Sequence, residues 1–217
     1  MAEISAQLVK QLREETGGGM MDCKSALAEA GGDLEKARVI LRKRGVAIAT
    51  KKLSRTASEG IIASYIHVGD KVGVLVEVNC ESDFVARNPE FREFVKNITL
   101  QIAAAEPRWV SREEVPANLL ESEKEIAAAQ VKNKPPQAIA KIVEGKLEKF
   151  YQTHCLLEQA YVRDQNQTVR DQLTAIVAKL GENIVIRRFV RWKLGESLEA
   201  AKPAAPPTPA QPAPTQS

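Results

Sequence analysis

The residues able to do chemistry in this chain are few and scattered. The densest glycine run, Gly17-Gly18-Gly19 between Thr16 and Met20, could bare backbone amides to a phosphate. It lacks the Gly-Lys-Ser/Thr ending of a P-loop and follows no strand-like run, so a turn between two helices is the better reading. The only histidines, His67 and His154, both fall in runs that read as strands. Cys155 adjoins His154, but neighbours on a strand point to opposite faces, a poor way to hold one metal ion. Cys23, Cys80 and Cys155 are odd in number and widely spaced. That argues against a disulfide framework and for a reducing cytoplasm. No Gly-x-Ser-x-Gly elbow is present, and the carboxylates sit mostly on helix faces with no pair marked by spacing. The reading is therefore not an enzyme, with no metal and no cofactor, which leaves a protein that binds another macromolecule.

Two segments suit that role, Cys80 to Asn88 and Lys179 to Asn183. Each joins a strand to a helix, where functional residues concentrate. The first is polar except for Phe84 beside Asp83. An aromatic next to an apolar helix start usually tucks beneath it, and the pattern alone favours that fate over an exposed ring.

The elements that position these segments follow from periodicity. Ser5 caps a first helix carrying Leu8 and Leu12, and the glycine run breaks it. A second helix, about Asp22 to Ala30, stops at Gly31-Gly32. Asp33 caps a third with Leu34, Ala37, Ile40 and Leu41 on one face, and Gly45 is read as its end. Arg42 to Arg55 then holds six basic residues and no acid. A nucleic-acid or acidic-partner contact is one reading. Cations at a helix C-terminus followed by a solvated linker is the favoured one. From Glu59, two β-rich runs flank Gly69-Asp70 as a hairpin, with Val72, Val74, Val76 and Val78 on one face. Asn88-Pro89 opens a helix carrying Phe91, Phe94, Val95, Ile98 and Ile102, which Pro107 ends. A charged helix follows. Pro135-Pro136 opens another, with Ile139, Ile142, Val143, Leu147 and Phe150 inward. His154 to Val162 reads as a third strand. A helix from Thr168 ends at Gly181. The last strand, Asn183 to Trp192, puts Ile184, Ile186, Arg188 and Val190 on one face and Arg187, Phe189 and Arg191 on the other.

The expected fold class is α+β, with helices on one face of a mainly antiparallel sheet. The division is a three-helix module over 1–45, a basic linker over 46–58, a core over 59–196 and a tail over 197–217. Six of the last seventeen residues are proline, so the Pro/Ala-rich tail is expected to be disordered. Hydrophobic residues make up 44% of the 217, enough for a buried core. A net charge of +3, from 31 basic and 28 acidic residues, does not suggest a dedicated nucleic-acid binder. No apolar run reaches the roughly 20 residues that span a bilayer, and no signal peptide is evident.

Three stretches carry a resemblance. "LREETGGGMMDCKSAL" (12–27), "VEVNCESDFVARN" (76–88) and "LGENIVIRRF" (180–189) are similar, in order, to the signatures of translation elongation factor Ts. The resemblance covers about residues 2–195. It implies a guanine-nucleotide exchange factor for elongation factor Tu, with a ubiquitin-associated-like (UBA-like) N-terminal module and an antiparallel-sheet core. It implies contacts to the partner's G domain through Val9, Leu12, Met20 and Met21 of the module. In the core it implies Asp83, Phe84 and Val85, with Leu180 and Gly181 beside them. The Asp-Phe pair would disturb the partner helix that helps hold Mg²⁺ and GDP. Ser82 stands where the family usually has threonine, which keeps the hydroxyl. The chain has room for one core, like the short members associated with homodimers, so a dimer is expected through the sheet around Phe150 to Val162 and Ile184 to Trp192. The other class of reading is an adaptor whose helical module binds some other protein.

Overall fold

The computed structural model describes residues 4–131 and 135–196. The proline-rich tail lies outside them. Three helices come first: α1 (Ala6–Thr16), α2 (Met20–Glu29) and α3 (Leu34–Lys52). Ser5 accepts a hydrogen bond from the Leu8 amide and Asp33 from the Lys36 amide, which satisfies helix-start donors that would otherwise lack partners. Leu12, Cys23, Ala26, Leu27 and Ala37 close a small core between them.

Helix α3 corrects the expected division of the chain. It runs through Gly45 to Lys52, so a boundary at 45/46 falls inside a helix and only residues 53–58 remain as connection. A glycine inside a helix costs about 1 kcal/mol against alanine, which local packing readily offsets. Here α3 packs along α8 (Val169–Leu180), Ala49 reaches the main core, and Arg42 pairs with Asp171 at 2.7 Å. A Cβ added at Gly45 would meet the Ala178 methyl at 3.6 Å, an ordinary contact. Gly45→Ala is therefore expected to stabilise the protein by about 0.5–1 kcal/mol. A lowered urea midpoint would show that α3 does not continue as described.

The main sheet orders β1 (Glu59–Ile66), β2 (Val72–Cys80) and β5 (Val185–Lys193), all antiparallel. Val74, Val76 and Val78 face α5 (Pro89–Ala105), whose Phe91, Phe94, Val95, Ile98 and Ile102 fill the core with Val169 and Val177 of α8. The last strand departs from simple alternation. Glu77 pairs with Arg188 but Val78 pairs with Ile186, so Arg187 is the extra residue of a bulge. The phase change brings Phe189 round to the core face with Ile186 and leaves Arg188 and Val190 opposite Glu77 and Leu75 on the other face. The expected grouping of Ile186 with Arg188 and Val190 is thus replaced.

The run His154 to Val162, expected as a strand, does not join this sheet. His154 ends α7 (Pro136–His154), Leu156–Glu158 forms a 3-10 turn, and β3 (Ala160–Tyr161) pairs only with β4 (Asp164–Thr168). Gln159 holds this connection by donating to the carbonyls of Ala105 and Thr153, at 3.0 and 2.9 Å. Neither histidine lies on a strand: His67 follows β1 in the hairpin loop, and His154 ends α7 with its ring tilted against Phe150, centroids 4.7 Å apart. Helices α6 (Ala117–Ala129) and α7 pack as a hairpin, and the apolar side of α7 (Ile139, Ile142, Val143, Leu147 and Phe150) is only half-buried. Arg112 anchors the base of α7, binding Glu148 and Glu158 at 2.6 and 2.7 Å and lying 4.7 Å from the Tyr151 ring centre. Among the described residues no helix is long and apolar enough to cross a membrane.

Candidate functional site: a clasped partner-binding surface

The segment from Cys80 to Asn88 is not a loop. Ser82 caps a five-residue helix, α4 (Asp83–Arg87). Pro89 disfavours helical geometry at the residue before it, and Asn88 is extended at φ −62°, ψ 130°. Asn88 therefore ends α4, and its side chain caps α5 by accepting from the Glu90 amide at 2.8 Å. At 100° per residue, Asp83, Phe84 and Arg87 share one side of α4 and Val85 and Ala86 the other. Val85 and Ala86 are buried in the core, whereas Phe84 is 78% exposed. Asp83 pairs with Arg87 at 2.6 Å on the exposed side. An isolated helix of this length is unstable in water, so its geometry is imposed by the cap and the two buried anchors.

A reciprocal clasp holds the cap. The Glu182 carboxylate accepts from the amides of Glu81 and Ser82 at 3.1 and 3.0 Å, and from the Ser82 hydroxyl at 2.6 Å. In return, Glu81 accepts from the Asn183 amide at 2.6 Å and from Arg55 at 3.1 Å. The Asn183 side chain donates to the Arg55 carbonyl at 2.7 Å. The two segments singled out in the sequence are thus bound to each other, and the end of α3's connection is tied in with them. Gly181, at φ 72°, makes the left-handed turn that points Glu182 back toward Ser82.

The N-terminal glycine turn reaches the same region. Gly17 lies against Lys179, whose ammonium would sit 3.6 Å from a Cβ added there. Lys179 pairs in turn with Glu90 at 2.8 Å, at the start of α5. One run of contacts therefore links the turn before Met20 with the ends of α8 and α4.

The residues expected to meet a partner divide by burial. Phe84, Asp83, Met20 and Met21 are exposed, Met21 at 74%. Leu180 and Gly181 are half-buried at the end of α8. Leu12 is fully buried, and Val9 and Val85 nearly so. Leu12 offers no surface in this structure and Val9 and Val85 little; they pack α1 and α4 in place beside their exposed neighbours. Glu81, Glu182, Asn183 and Lys179 fall within the two segments singled out in the sequence, but nothing there gave them the holding bonds the structure shows. Ser82 followed by Asp83 is a legible helix-start signal, but nothing local marks Glu182 as its partner.

The electrostatics give holding groups rather than reacting ones. The Asn183 amide, and then Arg55, keep the Glu81 carboxyl below its ordinary value. Burial, reinforced by the Glu182 charge, pushes the Cys80 thiol up to about 11, and burial does the same for Cys155. Neither is a nucleophile at neutral pH. Because the folded Glu81 pKa is lowered, its stabilising contribution is present above the ordinary value of 4.5 and is lost as pH falls through the lowered one. Urea midpoints should therefore drop below about pH 4.5, and Glu81→Gln should make that drop shallower. An identical pH slope in the variant would remove Glu81 from the clasp.

The sequence carries clear relatives. A family model described as elongation factor TS matches residues 6–196. The elongation factor Ts of Caldanaerobacter subterraneus subsp. tengcongensis is 62% identical over 198 residues, covering 90% of this chain and 99% of that protein. That of Anaeromyxobacter sp. (strain K) is 61% identical over 201 residues, 92% of each chain. That of Fervidobacterium nodosum is 59% identical over 196 residues, 89% of this chain and all of its own. A helical module, an antiparallel α+β core and matches of this length at this identity together place the chain in the elongation factor Ts family.

Proposed function

We propose that this chain is a guanine-nucleotide exchange factor for elongation factor Tu, acting in the cytoplasm during translation elongation. The observation that carries the reading is Phe84, an exposed aromatic beside Asp83 on a short helix clamped from both ends, in a member of this family. A large apolar side chain held rigidly in water gains most when another protein covers it.

The protein binds the GDP form, enters the G domain with Asp83 and Phe84, and loosens Mg²⁺ and GDP. It then stabilises the nucleotide-free state until GTP binds. Leu180 and Gly181 flank this contact, and Met20 and Met21 extend it from the helical module. It forms no covalent bond and is not an enzyme in that sense. By linkage, whatever factor binding does to GDP affinity, GDP must do equally to factor affinity. A thousandfold faster release takes about 4 kcal/mol from the barrier. One buried phenylalanine supplies about 1.5–3 kcal/mol, so the wider surface must contribute. Stopped-flow release of fluorescent GDP from elongation factor Tu is the test. Acceleration is expected, and no effect at saturating protein would favour an adaptor using the module alone.

We further propose a homodimer through the outer face of the main sheet, where Ile62, Ile66, Leu75 and Trp192 are all exposed. Their register places them together: Ile66 opposite Gly73, which pairs with Trp192, and Leu75 opposite Val190. Contiguous exposed apolar surface of this kind marks an interface. Residues 150–162 do not join that sheet and are not part of this surface. Light scattering at micromolar concentration should give the dimer mass, and Ile62→Asp should give the monomer. A monomeric wild type would end this part of the proposal.

A further inference from the structure

The geometry points to Glu182 as a positioning residue that aims Phe84, acting through Ser82. This rests on the exchange reading above and adds a control element to it. The Ser82 hydroxyl has two duties. It donates to Glu182 Oε1 at 2.6 Å and accepts from the Val85 amide at 3.3 Å as the cap of α4. A hydroxyl has one proton; once a carboxylate takes it, the lone pairs turn to the remaining donor, which here is the helix start. Oε2 of the same carboxylate binds the amides of Glu81 and Ser82 and fixes the backbone entering α4. Asp83 and Phe84 are the next two residues, so any rotation at Ser82 passes directly to the exposed ring.

The rest of the surroundings make Glu182 the controlling partner. The β2 strand ends at Cys80, and Val85 is the first side chain after it to be buried. Between these anchors, the Glu81–Ser82 backbone amides are held by one carboxylate from a segment a hundred residues away. The opposite half of the clasp, from Asn183 and Arg55 to Glu81, holds the two segments together but does not touch the α4 cap. Glu81 thus only attaches, whereas Glu182 attaches and also sets the α4 cap. Reaching the end of α8 through a Gly181 turn also couples the direction of Phe84 to Leu180, so the two parts of the proposed contact cannot be misaligned independently.

The test uses the full-length protein, elongation factor Tu loaded with fluorescent GDP, and the variants Glu182→Gln, Phe84→Ala and their combination. Glu182→Gln keeps the size and removes the charge. It should lower the maximal release rate about tenfold while the factor concentration for half-maximal effect changes less than about twofold. In the Phe84→Ala background the same change should alter the rate by less than about twofold, because there is no ring left to aim. Amide hydrogen exchange at Ser82 and Val85 should quicken in Glu182→Gln while core amides of α5 stay protected. Equal losses in both backgrounds would make Glu182 merely structural and overturn the proposal. So would a Glu182→Gln protein at the wild-type rate while Phe84→Ala is slow, and that result would leave the exchange reading standing. A wild type that does not accelerate release overturns both. If Glu182→Gln melts below the assay temperature, Ser82→Ala must show the same non-additive loss and Ser82→Thr must recover it; failure of either overturns the proposal.

Discussion

Phe84→Ala should slow stimulated GDP release about 10- to 150-fold at saturating factor, the equivalent of about 1.5–3 kcal/mol for one buried phenylalanine. The same variant should melt within about 1 °C of the wild type. The ring is 78% exposed in the free protein, so its loss opens no cavity, and alanine suits a helix slightly better than phenylalanine. Its neighbours Val85 and Ala86 still pin α4 to the core. Phe84→Leu should fall between the two, since it retains apolar bulk without the ring. The separation of a large kinetic effect from a null stability effect distinguishes a contact residue from a packing residue. Normal exchange by Phe84→Ala would show that α4 is not the contact, whatever the family.

Gln101→Leu should do the reverse. Gln101 is fully buried on α5 and holds the β3–β4 connection from inside. Its amide nitrogen donates to the Gln159 side chain at 3.1 Å and to the Ala160 carbonyl at 3.2 Å, and its oxygen accepts from the Val162 amide at 2.8 Å. Leucine fills a similar volume but answers none of these groups. Buried polar groups left unpaired cost about 1–3 kcal/mol each, so a net loss near 3 kcal/mol is expected. For a chain of this size that lowers the melting temperature by about 6–12 °C. Well below that temperature, maximal exchange should be unchanged, because the bonds of Gln101 go to the β3–β4 connection and not to α4. A melting point within about 2 °C of the wild type would mean that water replaces the amide without penalty.

The legible parts of the fold share one property: their signals are local. Ser5, Asp33, Asn88-Pro89 and Thr168 mark helix starts because the donors they satisfy lie within three residues. The β1–β2 hairpin and the faces of α5 and α8 follow from apolar spacing. Exposure of Phe84 was not legible in this way. Periodicity alone put the ring inward, and only the resemblance of the surrounding motif turned it outward, in agreement with its position on α4.

The amino-acid sequence by itself determined the helix starts, the hairpin, the α+β class and, through its motifs, the family. Tertiary structure decided what depends on residues distant in the chain. Helix α3 continues past Gly45 because α8 offers it a surface; no residue near Gly45 announces that. The bulge at Arg187 arises from pairing with Glu77 and Val78 on another strand, and it reverses which face Phe189 occupies. The run from His154 to Val162 contains strand-forming residues, yet its backbone is taken up by the end of α7, by the Trp109 and Val110 carbonyls and by Gln101, and Ala160–Tyr161 pairs with β4 and not with the main sheet. The clasp between Glu182 and Ser82 joins segments a hundred residues apart. Capping and periodicity act over a few residues and leave a pattern in the sequence, whereas a hydrogen bond between two distant turns leaves none until folding brings them together.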